Sequence, residues 1–165
     1  MTATRNLPAP HLFNMTCLED EIRADQLCTE LLKPFHAYLM EQQDEDPLSA
    51  GTLARGADHF LREFVIGDRR ENPFHLQPER VRQFAGNWYI IKTLEPNIAE
   101  LGDILEGVAA FYRWLADQNL YDTAQAEKVT WHCQQLDFYQ QRINQFWEIE
   151  GDGYSNWNSA CPLPD

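Results

Sequence analysis

The feature that most constrains the fold is a recurring spacing of three or four residues between apolar side chains. It is clearest after residue 100, where five large apolar residues follow one another at this spacing, namely Leu101, Leu105, Val108, Tyr112 and Leu115. Side chains three or four positions apart share one face of an α-helix, whereas strand patterns repeat every two residues. The pattern therefore predicts an amphipathic helix that buries one face in a core.

Four further segments show the same spacing and have residues typical of helix ends at their boundaries. We predict five helices, beginning near Thr16, Ser49, Pro78, Asn97 and Asp122. An acid or amide residue follows the first, fourth and fifth starts after three positions, which is typical of a capping pair. Gly67 and Gly151 are placed to end the second and fifth helices.

These helices predict an all-α protein with a single five-helix bundle in one domain spanning residues 1–165. The bundle occupies residues 16–150, between an irregular arm (1–15) and an irregular tail (151–165). Pro34 lies inside the first helix and predicts a kink or break at Lys33. Residues 88–94 also have strand character, but a lone strand has no partner, so helix is favoured.

The fifth predicted helix is apolar on two sides. Trp131 and Phe138 fall nearly opposite its core stripe when residues are placed 100° apart. The core stripe consists of Val129, Cys133, Leu136, Ile143 and Trp147. A helix that is apolar on two sides is usually buried on two sides. We therefore expect the N-terminal arm, a neighbouring helix or a second chain to cover the second side. Trp157 in the tail is a further candidate for contacts outside the core.

The charge distribution indicates which kinds of partner the protein can bind. The chain has 26 acidic and 13 basic residues, a net charge of −13, which repels phosphate and makes nucleic-acid binding unfavourable. Four arginines nevertheless cluster around a predicted helix start and are candidates for anion contacts, namely Arg69, Arg70, Arg80 and Arg82. Glu71 and Glu79 interrupt this cluster, which favours a solvated mixture of charges.

Sequence motifs for cofactors and metals are absent. The chain has no glycine-rich phosphate loop, no Gly-x-Ser-x-Gly and no His-Glu-x-x-His. His132 and Cys133 are adjacent, but a metal site needs further ligands and a nucleophilic thiol needs a base. We therefore predict no cofactor and no metal site, with Cys133 a buried thiol.

The cysteines and the hydropathy pattern predict where in the cell the protein is located. The four cysteines include no Cys-x-x-Cys pair, and no secretory signal precedes them. No apolar run approaches the roughly 18 residues of a membrane span. These observations predict reduced thiols, a cytoplasmic location and no membrane contact.

Between residues 52 and 120, nine residues, most of them apolar, follow one another in a characteristic order, namely Thr52, Phe60, Leu61, Val81, Phe84, Val108, Phe111, Tyr112 and Leu115. In this order the segment resembles the core-binding domain of tyrosine recombinases. The resemblance implies a small helical domain that clasps DNA beside a separate catalytic domain. The arginines and tyrosine of that catalytic domain do not follow in this sequence, and the negative charge departs from a DNA-clasping surface.

The aromatic second side and the absence of catalytic motifs together predict a non-enzymatic protein–protein interaction module. It would bind a protein partner or a second copy of itself through Trp131, Phe138 and Trp157. Two alternatives stay open. One is a small helical-bundle metal-binding protein or enzyme, and the other is a nucleic-acid-associated accessory protein that uses the arginine cluster.

Overall fold

A computed structural model describes residues 7–161, and all regular secondary structure in this range is helical. The α-helices are α1 (Leu18–Glu41), α2 (Pro47–Asp58), α3 (Glu79–Gln83), α4 (Tyr89–Lys92), α5 (Ile98–Asp117), α6 (Thr123–Cys133), α7 (Leu136–Trp147) and α8 (Tyr154–Ser159). The all-α prediction is confirmed, and the described part of residues 88–94 contains helix and no strand. The helices outnumber the five predicted.

Two of the helical rods contain π-helical segments, and these segments face each other. α2 continues into a π-helix at His59–Ile66, and a second π-helix, Phe84–Trp88, joins α3 to α4. The Phe84 ring lies 5.1 Å from that of Phe60 and 5.4 Å from that of Phe64, both edge-on. Such pairs contribute about 0.5–1.5 kcal/mol each beyond the area they bury. The aromatic contacts therefore help to hold the two segments together.

The closest helix crossing is between α2 and α5, and it depends on two glycines. A Cβ atom at Gly107 would lie 2.2 Å from the Leu53 carbonyl oxygen, and one at Gly56 would lie 2.8 Å from the Ile104 Cα. The two backbones are thus in direct contact, which only residues without a side chain allow. One cluster of buried apolar residues, extending along the chain from Phe13 to Trp157, surrounds this crossing.

Two predicted helix starts are confirmed by their capping bonds, because these bonds are local. The Asn97 side chain accepts a hydrogen bond from the Glu100 N–H at 2.8 Å, and the Asp122 carboxylate accepts one from the Gln125 N–H at 3.0 Å. The start near Ser49 is shifted: Asp46 is the cap, and its carboxylate accepts from the Ser49 N–H at 2.9 Å.

Three other predictions about the helices differ from the structure in detail. At the first helix, Asp20 and not Glu19 accepts the bond from the Thr16 N–H, at 2.9 Å. α1 is continuous through Pro34, without a break. Gly67 does cap the second helix, but in a right-handed conformation with φ of −71° and not in the left-handed one expected of a terminal glycine; Arg70 adopts the left-handed one, with φ of 53°.

The predicted fifth helix is two helices, because the chain turns at Gln134 and Gln135. Cys133 and Tyr139, six residues apart, would point about 120° apart on one continuous helix. Both are buried in the core, and the turn is what allows this. The Tyr139 hydroxyl donates to the His132 carbonyl at 2.7 Å across the turn. Trp131 and Phe138 consequently lie on different helices and do not form one stripe.

The arm and the tail are more ordered than predicted. Pro10–Phe13 forms a 3₁₀ turn, and the buried Phe13 ring lies 5.3 Å from that of Phe74. In the tail, α8 folds back onto α7 through Trp157. The predicted ends of the arm and tail, residues 1–6 and 162–165, lie outside the described residues. Within residues 7–161, the helices are too short or too polar to cross a membrane.

Candidate functional site

The exposed tryptophans are the most unusual surface feature. Trp131 is 58% exposed and Trp147 is 60% exposed, whereas Trp114 and Trp157 are 0% and 6% exposed. Tryptophan is highly buried on average, and an exposed one removes little of its large apolar area from water. No other part of residues 7–161 covers these two indoles, so they are available to a partner.

The two tryptophans lie at opposite ends of α7. Trp131 lies near the end of α6, just before the turn, and its carbonyl accepts a hydrogen bond from the Gln135 side chain at 2.8 Å. Trp147 is the last residue of α7. Twelve helical residues span about 18 Å. Leu136, also exposed, is the first residue of α7, so Leu136 and Trp147 are exposed at the two ends of the helix, with the buried Ile143 between them. We call Trp131, Leu136 and Trp147 the α7 surface.

The segment that carries this surface is acidic. Between residues 122 and 161 there are six acidic residues and two basic ones, a net charge of −4. One of the two basic residues, Arg142, is buried, which leaves Lys128. Glu148, Glu150 and Asp152 follow Trp147 directly. A cationic group approaching Trp147 would therefore meet both an aromatic face and carboxylates.

The sequence placed Trp147 on the core stripe of the fifth helix and so missed it as a site residue. Trp147 does share the face of the buried Ile143, one turn before it, but it is the last residue of α7 and its side chain is 60% exposed there. The three acidic residues that follow Trp147 within five positions were the available signal, since a buried helix end rarely carries several unpaired charges.

Phe138 has a different environment from Trp131. It is partly buried, its ring lies 5.7 Å from that of Tyr139, and its Cε2 atom faces Gly86. A Cβ atom at Gly86 would lie 3.7 Å from that carbon. A neighbouring helix thus covers Phe138, as one of the expectations stated, and nothing in the described chain covers Trp131.

Trp157 is buried against its own chain, so the structure does not present it to a partner. Its Nε1–H donates to the Arg142 carbonyl at 2.9 Å, and its ring lies 4.9 Å from that of Phe146. We therefore leave Trp157 out of the α7 surface. The burial of Trp157 depends on contacts with Arg142, 15 positions earlier in the chain. The polar, proline-containing sequence of the tail does not indicate such contacts.

The arginine cluster is largely neutralised within the chain. Arg80 forms an ion pair with Glu71 at 2.8 Å, and Arg70 forms one with Glu21 at 3.1 Å. Arg69 lies 3.8 Å from the Asp68 carboxylate.

Arg82 points elsewhere, toward α6 and the tail. Its charge acts on His132, Tyr139 and Cys161, although burial has the larger effect on each and lowers the pKa of His132 while raising those of Tyr139 and Cys161. The four arginines therefore do not converge on one anion position.

His132 and Cys133 have no activating arrangement. Burial raises the pKa of the Cys133 thiol well above its ordinary value, and burial lowers the pKa of His132. A neutral, buried thiol is a poor nucleophile and a poor metal ligand. Among residues 7–161, no group of three or more His, Cys, Asp or Glu side chains is placed to hold a metal ion.

Fold and surface together define an acidic, all-α protein that exposes one tryptophan near the end of α6 and another at the end of α7. Comparison with protein-family models, with curated proteins and with solved structures finds no match to this chain. The likeness to the recombinase core-binding domain thus stays a prediction from the sequence. The function is therefore inferred from the residues of this chain.

Proposed function

We propose that this protein is a non-enzymatic binding module that docks a basic segment of another protein along α7. The observation that carries the proposal is the exposure of Trp131 and Trp147, each more than half accessible, in a chain that buries Trp114 and Trp157. Tryptophan, when it is buried by a partner, is among the residues that contribute most to protein–protein binding.

The acidic surroundings favour a basic occupant. Glu148, Glu150 and Asp152 supply negative charge beside Trp147, and lysine or arginine stacked on an indole gains about 0.5–1 kcal/mol at an exposed site. Charge complementarity also accelerates association. The length of α7, about 18 Å, corresponds to roughly six residues of an extended segment at about 3.3 Å per residue.

A second copy of this chain is a less favourable occupant. Each copy has a net charge of −13, and the α7 region itself is acidic, so two copies repel each other. The metal and nucleic-acid alternatives have less support, because the candidate ligands within residues 7–161 do not cluster and three of the four arginines lie beside carboxylates of their own chain.

A peptide titration followed by NMR tests the proposal. The probe is a capped peptide of alternating lysine and leucine, and the control probe replaces each lysine by glutamate. We expect the indole N–H signals of Trp131 and Trp147 to shift with the lysine peptide only. Trp131→Ala and Trp147→Ala should each weaken binding by about tenfold, equivalent to about 1.4 kcal/mol.

Leu48→Ala is the matched control, because Leu48 is 77% exposed on α2, in a different part of the structure. It should leave peptide affinity unchanged. Unshifted indole signals, or equal affinity in wild type and both tryptophan variants, would overturn the proposal. Sedimentation velocity addresses self-association: a wild-type dimer that Trp147→Ala converts to a monomer would assign the surface to a second copy instead.

A further inference from the structure

A second surface feature, separate from α7, is a cleft of about 590 Å³ between α2, the end of α4 and the start of α5. Its size falls within the range of small-molecule sites, about 300–1,000 Å³. Six of its lining residues carry polar groups that matter for binding, namely Arg55, His59, Lys92, Tyr89, Glu100 and Asp103.

One wall of the cleft is basic. Arg55 and His59 lie four residues apart along the same helical rod, and Lys92 is the last residue of α4. Within residues 7–161, Arg55 and Lys92 take part in no ion pair, and the nearest polar contact of Arg55 is the Thr52 hydroxyl at 3.5 Å.

Aromatic packing fixes the third member of this wall. The His59 ring lies 6.0 Å from both the Phe84 and the Trp88 rings, edge-on to each. These contacts place the imidazole between the two π-helical segments and at the rim of the cleft. Within the described residues the His59 ring makes no hydrogen bond, so its nitrogen atoms are available to a ligand.

The part of the cleft that α5 lines is acidic. The Tyr89 hydroxyl donates to the Glu100 carboxylate at 2.5 Å and accepts from the Asn97 N–H at 3.2 Å, which fixes Glu100 at the first turn of α5. Burial and this bond raise the pKa of Tyr89 well above its ordinary value, so the phenol stays neutral and keeps donating. Asp103 lies one turn further along α5 and makes no hydrogen bond within residues 7–161.

We propose that this cleft binds a small dipolar molecule that carries a phosphate or carboxylate at one end and an ammonium group at the other. Arg55, Lys92 and His59 hold the anionic end, and Asp103 and Glu100 hold the cationic end. A purely anionic ligand would be repelled by the acidic wall, and a purely cationic one by the basic wall. The opposed charges of the two walls thus select a ligand with both.

This inference is independent of the function proposed for α7, since no lining residue belongs to α6 or α7. Calorimetry with four probes tests it: O-phosphoethanolamine, β-alanine, inorganic phosphate and ethanolamine. We expect the two dipolar probes to bind more tightly than phosphate or ethanolamine. The stronger of the two dipolar probes identifies the anionic group as phosphate or carboxylate.

Variants then locate the binding. Arg55→Gln and Lys92→Gln should each weaken the dipolar probes by about tenfold, since each removes a charge-assisted contact. Asp103→Asn should weaken the dipolar probes and leave inorganic phosphate unchanged or slightly stronger. Arg113→Gln, which removes the same charge from α5 outside the cleft, should have no effect.

Circular dichroism confirms that each variant folds, which these partly or fully exposed positions allow. Two results would overturn the inference. One is the absence of measurable binding for both dipolar probes at millimolar concentration. The other is an equal loss of affinity in Arg113→Gln and Arg55→Gln, which would mean that overall charge and not the cleft determines binding.

Discussion

The Arg142 guanidinium lies 4.0 Å from the centre of the Trp157 ring, in a position that is 2% exposed to solvent. No carboxylate among the described residues pairs with this buried charge. Its hydrogen bonds go to oxygen atoms of three residues: the Gly86 carbonyl at 3.0 Å, the Trp157 carbonyl at 2.6 Å and the Asn87 side chain at 3.0 Å. This arginine, together with the Asn87 side chain that donates to Asn158, therefore attaches the tail to the helices.

Removal of this arginine should destabilise the protein. Arg142→Met retains much of the side-chain length but removes three hydrogen bonds to oxygen atoms of buried residues. We expect the free energy of unfolding to fall by about 3 kcal/mol, measured by urea denaturation. Gln141→Met, at the exposed neighbouring position, is the control and should change stability by less than about 0.5 kcal/mol.

The Arg142–Trp157 contact itself can be isolated with a double-mutant cycle. Trp157→Leu keeps an apolar residue beside the guanidinium but removes the aromatic face. We expect an interaction energy of about 1–2 kcal/mol, because a desolvated cation–π contact is stronger than an exposed one. Additive effects of Arg142→Met and Trp157→Leu would show that the ring contributes only through packing.

Two glycines on α5 should respond to alanine in opposite directions. A Cβ atom at Gly107 would lie 2.2 Å from the Leu53 carbonyl oxygen, whereas nothing lies within 4 Å of a Cβ atom at Gly102. Gly107→Ala should therefore separate α2 from α5 and cost about 2 kcal/mol or more. Gly102→Ala should stabilise the helix by about 0.5–1 kcal/mol.

Thermal unfolding of both variants measures this difference. A change of 1 kcal/mol shifts the Tm of a chain this size by about 2–4 °C. The Tm should therefore fall for Gly107→Ala and rise for Gly102→Ala. Equal shifts of the same sign would contradict the close approach of α2 and α5.

The sequence was sufficient for features that depend on local contacts. The capping positions at Asn97 and Asp122 were predictable because each cap bonds to a backbone N–H only three residues away. The turn at Gln134 and Gln135 was not predictable, because neither glycine nor proline marks it. It follows from the burial of both Cys133 and Tyr139, which is a tertiary effect.

The same distinction applies to the candidate sites. Trp131 was predicted to lie outside the core stripe, and its exposure agrees with that position. The exposure of Trp147 and the burial of Trp157 both depend on how α7 and α8 pack, and periodicity does not contain that information. The cleft between α2, α4 and α5 joins residues up to 52 positions apart, from Thr52 to Ile104.

Asp20 should titrate well below an ordinary aspartate. Hydrogen bonds from the Thr16 N–H and hydroxyl, both at 2.9 Å, lower its pKa from 3.8 to about 2. Because the pKa is depressed in the folded state, the stabilisation is complete above pH 3.8 and is lost as the pH falls toward 2. An NMR titration of the Asp20 carboxyl carbon measures the midpoint directly.

Thr16→Val provides the matched control for this titration. It removes the hydroxyl bond, keeps the side-chain shape and leaves the backbone N–H in place. The pKa of Asp20 should therefore rise part of the way toward 3.8, since the larger contribution comes from the backbone bond. A midpoint near 3.8 in the wild-type protein would contradict the bonding at the start of α1.

The four thiols should react at very different rates with iodoacetamide. Cys17 is exposed, whereas Cys28, Cys133 and Cys161 are buried. Burial raises the pKa of Cys28 to about 12, so at pH 8 only about one molecule in ten thousand carries its thiolate. We expect rapid modification of Cys17 alone in the folded protein and comparable rates for all four thiols in urea. Mass spectrometry of peptides measures the extent of modification at each cysteine. Cys17→Ser should remove the fast phase; a second thiol reacting as fast as Cys17 would mean that the core around it opens readily.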